Sequence, residues 1–277
     1  MKSGEIRCDA LLEVRRTCAR PPQVGGYLTG FQGRAYNSRP DPLLSFALAY
    51  LSTCLLAYLS TSMHSPAVED YLKTIFEIER EQGKVATTVL SERLGVAPAS
   101  VTGMVKKLAE MNLVEHERYQ GVTLTPAGRK IALEVIRHHR LVELYLAEAL
   151  GVPWDRVHDE AEKWEHILSE DLEDRIDALL GHPTTDPHGA PIPTRDGQMA
   201  RTSPDRLLDL LPGQAAIIDE VSDHDPDLLR RLGDLGLFPA TAVTITGRDA
   251  AGLTLLAGET ERLVSNEMAG YIFVRRR

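Results

Sequence analysis

The sequence predicts a mainly α protein with a smaller share of β: a winged helix-turn-helix, a helical domain behind it, and a C-terminal β unit. Three observations lead there. Apolar residues recur at helical spacing through much of residues 68–150. Two short β-type segments around Gln120 and Gly121 interrupt that region directly after a pair of helices joined by a tight turn. Beyond residue 205 the pattern changes to short runs rich in β-branched residues.

Composition narrows the function classes. A chain of 277 residues holds two or three ordinary cores, and 43% hydrophobic with 26% charged residues is the balance of a globular protein. Aromatic residues make up only 5%, too few for stacking platforms along single-stranded nucleic acid. A net charge of −9 argues against indiscriminate binding to nucleic acid, yet a local basic face remains compatible with it, and a bound cation would help an acidic protein approach DNA. The cysteines (Cys8, Cys18, Cys54) all precede residue 60. A disulfide framework, a zinc ribbon and thiol chemistry are therefore excluded after Met63. A metal site there must use carboxylate and imidazole, which suit Mn(II) or Fe(II).

Taken in order, residues 1–62 read as an unstructured or over-extended N-terminal segment. Within it, residues 43–59 (LLSFALAYLSTCLLAYL) are apolar but shorter than the roughly 20 residues a spanning helix needs. Met63 opens a tidy start for a cytoplasmic protein, and a membrane partner is expected only if the upstream segment is real. Residues 63–130 form the predicted winged helix-turn-helix. VEDYLKTIFEIERE (68–81) has one apolar face, TTVLSERLG (87–95) is a short helix ending at Gly95, and APASVTGMVKKLAEMN (97–112) is the recognition helix. Its small and hydroxylic residues Ala99, Ser100, Thr102 and Gly103 permit close approach to DNA. Lys106 and Lys107 reach phosphates, Thr87 and Thr88 start the preceding helix, and Arg118 sits near the wing tip. One such helix reads few base pairs, so a homodimer on a palindromic operator in double-stranded DNA is expected. The long helix from Pro126 to Leu150 offers Ile131, Val135, Leu141, Leu144 and Leu146 as apolar surface for a dimer core.

Residues 131–182 carry the chemistry. HDEAEKWEH (158–166) packs two histidines and four acidic residues into one short stretch. Like charges three or four apart on a helix repel unless a cation lies between them. Glu162, Glu165 and His166 are spaced to share a helix face, as are His139 and Glu143. With His158 and Asp70 on neighbouring helices, these oxygen and nitrogen donors suit a divalent metal ion. Each alone reads as surface or packing; His138 reads as solvated, and His116 and His188 as surface or loop.

The segments DYLKTIFEIE, SERLGVAPASVTGMVKKL, LTPAGRKIA, RHHRLVE, VHDEAEKWEHILS and DPHGAPIP resemble the diphtheria toxin repressor family of metal-dependent transcriptional regulators. The resemblance implies a primary metal site at Asp70, Glu162, Glu165 and His166 and a second at His139, Glu143 and His158. Iron-responsive members carry methionine and cysteine at the positions of Asp70 and Glu162, so the hard carboxylates here imply Mn(II), with Fe(II) as the second choice. Lys73 departs from the smaller manganese regulators, which place a ligating glutamate there. The resemblance further implies metal-uptake genes as targets.

Residues 183–204 are rich in Pro, Gly and polar side chains and read as a linker. In residues 205–277, QAAIIDEV, TAVTITGRD, AGLTLLAG and GYIFVRRR read as strands and LLRRLGDLGL (228–237) as a helix; the arrangement resembles the SH3-like (FeoA-like) β-barrel of many family members. Glu220, Asp223 and His224 are where that domain would lend ligands to the second site. Two competing functions stand beside the repressor. A carboxylate-bridged di-iron enzyme needs paired Glu-x-x-His motifs, and Lys163 occupies the glutamate position before His166. A metal-independent winged-helix repressor leaves the acidic cluster without a role.

Overall fold

A computed structural model of the protein describes residues 65–117 and 121–277, all within one unit, Cys54–Arg277. The readings made for residues 1–62, and for Arg118, lie outside the described residues. Three apolar cores follow one another along the chain.

The first core is built by helix α1 (Pro66–Gln82), α2 (Thr87–Leu94), α3 (Pro98–Glu110) and a two-stranded antiparallel wing, β1 (Val114–Glu117) and β2 (Gly121–Leu124). Pro66 and Pro98 occupy the first turns of α1 and α3, where a missing N–H costs nothing. Gly95 takes the left-handed conformation, φ 64°, that ends α2 and makes the tight turn. Leu72, Ile75 and Ile78 of α1 pack on Leu90 of α2 and Val101, Val105 and Leu108 of α3. Backbone bonds between Val85 and Val122 lay the α1–α2 connection along the wing.

Helix α4 (Pro126–Glu148) leaves the wing with Thr125 as its N-cap, the side chain accepting from the Gly128 N–H at 3.1 Å. A Cβ on Gly128 would lie 2.0 Å from the Leu113 carbonyl oxygen, so glycine is what lets α4 seat directly on the wing. The far half of α4 packs on α5 (Val157–Trp164) and α6 (Glu170–Leu179) to make the second core. The apolar side chains expected to serve a dimer are spent here: Leu141, Leu144 and Leu146 are buried within their own chain, as is Val135. Apolar exposure falls instead on Leu150, Trp164, Ile167, Leu172 and Leu179.

The third core lies in an antiparallel five-stranded sheet, order β6-β5-β4-β3-β7, with β3 (Ala215–Val221), β4 (Ala242–Arg248), β5 (Gly252–Ala257), β6 (Thr260–Ser265) and β7 (Ile272–Arg276). Helix α7 (Pro226–Asp234) follows β3, and a single turn, α8 (Asn266–Ala269), precedes β7. The sequence reading missed β6: only two of its residues, Leu263 and Val264, are apolar, and Val264 alone is buried.

Residues 183–204 contain neither helix nor strand, but the inner part is no free linker. Asp186, His188, Ala190 and Ile192 are buried. Arg137 and Arg140 of α4 donate to the Pro193 and Pro191 carbonyls at 2.9 and 2.5 Å, and the Val221 N–H of β3 donates to the His188 carbonyl at 2.9 Å. A proline-rich chain leaves carbonyls without local donors, and the two guanidiniums fill that need. Gly189 has φ +91°, and a Cβ there would lie 2.0 Å from the Asp219 carbonyl oxygen, so this strap lies flush against β3. Among the described residues, no helix is long and apolar enough to cross a membrane.

Candidate metal centre

Helix α5 stops at Trp164, one residue before the donors the sequence reading placed on it. Glu165 is its C-cap, and His166 lies in the turn that follows. The turn points both side chains back toward α1 and α4, whereas Glu162 stays on the helix with its side chain 44% exposed.

Asp70, Glu165 and His166 come together, with one donor atom of each within 4.8 Å of the others. His166 Nε2 is 2.7 Å from Asp70 Oδ1 and 3.4 Å from Glu165 Oε1, while Nδ1 is 2.6 Å from Glu69 Oε2. A histidine held on one nitrogen by a carboxylate presents the other in a fixed direction. Those hydrogen bonds to Asp70 and Glu69 raise the imidazole to about 10. Glu69 was missed by sequence reasoning, because an exposed-looking acidic residue in a first helical turn reads as helix-dipole complement.

Glu162, the fourth residue of the expected primary site, lies in a different grouping. The Lys73 ammonium donates to Glu162 Oε1 at 2.7 Å and to Glu165 Oε2 and Oε1 at 2.8 and 3.1 Å, and lies 3.1 Å from His139 Nδ1. Burial disfavours a charged lysine, but Glu165 and Glu162 outweigh it and raise Lys73 above its ordinary value. The repulsion expected within the acidic stretch is therefore already countered by this chain's own cations.

His139 joins this cluster to a second one. Its Nδ1 contacts Glu165, and its Nε2 is 3.0 Å from Glu143 Oε1 and 3.1 Å from His158 Nδ1. His158 Nδ1 is 3.2 Å from Glu143 Oε1 and 3.4 Å from Asp223 Oδ2. Burial works against charge on both histidines, but Glu143 brings His139 up to about 9, and Asp223 with Glu143 brings His158 up to about 11. Glu143 is fully buried, and its histidine partners bring it down to about 2. The three residues expected at the second site, His139, Glu143 and His158, are brought together, and Asp223 joins them in a group of four. Glu220 is in no such group; it is half-buried on β3, and burial raises its carboxyl. His224 is also outside it. Its ring lies 6.0 Å from that of His158, and Nε2 is 3.3 Å from Arg93.

A third group shares Glu143 and uses two residues of the 183–204 strap, Asp186 and His188. His188 is fully buried, against the expectation of surface or loop, because the strap folds over it and Trp154 stacks on its ring. Its Nε2 donates to the Trp154 carbonyl oxygen at 2.8 Å, which leaves Nδ1 as the ring nitrogen turned toward Glu143, 3.9 Å from Oε1. That Nδ1, Glu143 Oε2 and Asp186 Oδ2 are buried without hydrogen-bond partners. Two buried carboxylates and an imidazole grouped in the interior are an arrangement a cation satisfies, and the Arg140 guanidinium already stands 3.6 Å from Asp186 Oδ2. Burial, with Glu143 nearby, pushes Asp186 up to about 7. The donor set therefore fits a divalent ion. His138 also departs from expectation: it is buried, with Nε2 3.2 Å from Glu173 Oε2 and Nδ1 3.1 Å from the Glu165 carbonyl oxygen, and so braces the turn that carries Glu165.

On the first domain, Ala99, Ser100, Thr102, Gly103, Lys106 and Lys107 are all exposed along α3, and Thr88 is exposed at the start of α2 with Thr87 half-buried beside it. The small residues present a bare helix face, with both ammonium groups at its C-terminal end.

Comparisons with known proteins agree with this architecture. Residues 63–122 match the family described as iron dependent repressor, N-terminal DNA binding domain. Residues 125–194 match the iron dependent repressor, metal binding and dimerisation domain, and residues 206–276 match the FeoA domain. The iron-dependent repressor IdeR of Mycobacterium leprae is 33% identical over 221 residues, covering 75% of this chain and 96% of that protein. The diphtheria toxin repressor of Corynebacterium diphtheriae is 31% identical over 191 residues, covering 65% and 84%. Among solved structures, a manganese-dependent transcriptional repressor in complex with manganese is 37% identical with a TM-score of 0.71, over 76% of this chain and all of that one. The manganese regulator SloR is 28% identical with a TM-score of 0.64, over 77% of this chain and all of that one. These relatives are repressors, so the di-iron enzyme and metal-independent readings fall. The chain belongs to the diphtheria toxin repressor and IdeR family of metal-dependent transcriptional repressors.

Proposed function

We propose that this repressor responds to Mn(II), with Fe(II) as the second candidate, through an ion held by Asp70, Glu165 and His166. We further propose that the loaded homodimer binds a palindromic operator controlling metal-uptake genes. The reading is carried by one observation: Asp70 lies on α1, whose opposite face is the core of the DNA-binding domain, and is 2.7 Å from His166 at the end of α5. Holding Asp70 against His166 fixes the direction in which α3 is presented. Carboxylate and imidazole, with no sulfur, favour a hard ion at this position. When bound, the ion supplies positive charge shared by groups from α1 and from the end of α5. Asp70 and Glu165 supply oxygen donors, Glu69 orients His166, and Lys106 and Lys107 meet the phosphates.

A second ion position is supported by the buried group of Glu143, Asp186 and His188, each with a side-chain atom that has no hydrogen-bond partner, with Asp223 and His158 beside them. It would tie the strap and β3 to α4. Fluorescence anisotropy with operator DNA tests the function in Mn(II), anaerobic Fe(II) and chelator. Tighter DNA binding in Mn(II) than in equal Fe(II) is expected; equal affinity in metal and chelator would overturn the assignment.

A further inference from the structure

We propose that the Lys73 ammonium is a built-in cation standing in for a second divalent ion between His139, Glu162 and Glu165, so that this pocket takes one metal ion and not two. The inference rests on the reading of Asp70, Glu165 and His166 as the ion-holding group. Three donors, His139, Glu162 and Glu165, have atoms within 4.8 Å of one another, as do those of the group around Asp70. In place of a metal ion it contains Lys73 Nζ, which touches all three residues at 2.7–3.1 Å. The lysine is 8% exposed, so its stem is packed in α1 and the ammonium has little freedom to swing out to water.

Two consequences follow. Glu162 points at Lys73 and is withheld from the Asp70 ion, which explains why the expected four-residue primary site appears as three. Glu165 is shared: its oxygens meet Lys73 at 2.8 and 3.1 Å while Oε1 also lies 3.4 Å from His166. A fixed positive charge beside the metal position weakens the pocket's hold on a divalent ion and sets the concentration at which the repressor loads. The same ammonium keeps α1 against the end of α5 before loading, so part of the docking is present in advance.

The test counts Mn(II) per protomer and its affinity on the full-length protein by the EPR signal of unbound Mn(II), with circular dichroism as a check on folding. Lys73→Glu should bind one more Mn(II) per protomer than the parent. Lys73→Gln should keep the parent's number and bind the Asp70 ion on the order of tenfold more tightly. A lysine that only braces two helices predicts neither change, and an unaltered count with unaltered affinity overturns the proposal. If Lys73→Glu does not fold, the affinity of Lys73→Gln decides alone. Asp70→Asn separates the two readings: losing one ion in that variant while Lys73→Glu gains none sinks only the lysine inference, whereas losing none sinks the site itself.

Discussion

Replacing Glu143 with glutamine tests the buried charge network on which the second site rests. The glutamine keeps the volume and one oxygen but removes the negative charge that His139 and His158 face at 3.0 and 3.2 Å. The displacement of Glu143 from 4.5 to about 2 corresponds to about 3 kcal/mol favouring its charged form in the folded protein. Breaking a buried ion pair by removing one partner costs about 3–5 kcal/mol, and the retained hydrogen-bonding oxygen places this variant at the low end, about 3 kcal/mol. The sign with pH is definite. The carboxylate's contribution is complete above 4.5 and is lost as pH falls through about 2. The imidazole's contribution is complete below 6.5 and is lost as pH rises through about 9. The gap between parent and Glu143→Gln should thus be widest between pH 4.5 and 6.5, narrow as pH rises through about 9 with His139, and close only through about 11 with His158. Urea unfolding in chelator reads it out, with Trp154, stacked on His188, and Trp164 as the fluorophores. Added Mn(II) should stabilise the parent more than the variant, because a ligand has been removed. A variant within about 1 kcal/mol of the parent at every pH, with the same Mn(II) effect, would refute the reasoning.

Three further outcomes are expected. Glu69→Gln should weaken Mn(II) binding about 10–100-fold, since His166 loses its orienting carboxylate, with isothermal titration calorimetry as the measurement. Lys106→Ala should lower DNA affinity in Mn(II) alike for all operator variants and reduce the slope of log affinity against log salt by about one, in anisotropy titrations at several salt concentrations. Gly189→Ala should lower the thermal midpoint, because its Cβ meets the Asp219 carbonyl oxygen and φ is +91°, and should weaken binding at the position that uses Asp186 and His188.

The local elements and the identity of most donors were legible in the residue order. Helical period, Pro66, Pro98 and Pro126 at helix starts and Gly95 at a helix end act within one or two turns of chain, so they can be read without a fold. The histidine and carboxylate cluster announced itself because so much like charge needs a counter-charge. What supplies that counter-charge was decided only in three dimensions. Lys73 looks like one more surface cation on α1, and His188 like one more residue of a polar strap, until α5 and β3 fold over them. Glu162 and Glu165 are three apart in sequence, yet the end of α5 between them sends one to Lys73, with His139 and His158 behind it, and lets the other reach His166 as well. Donor chemistry belongs to the side chain and travels with the sequence. Which donors share an ion depends on distances of a few ångströms between residues as far apart in sequence as Asp70 and His166, and only packing sets those.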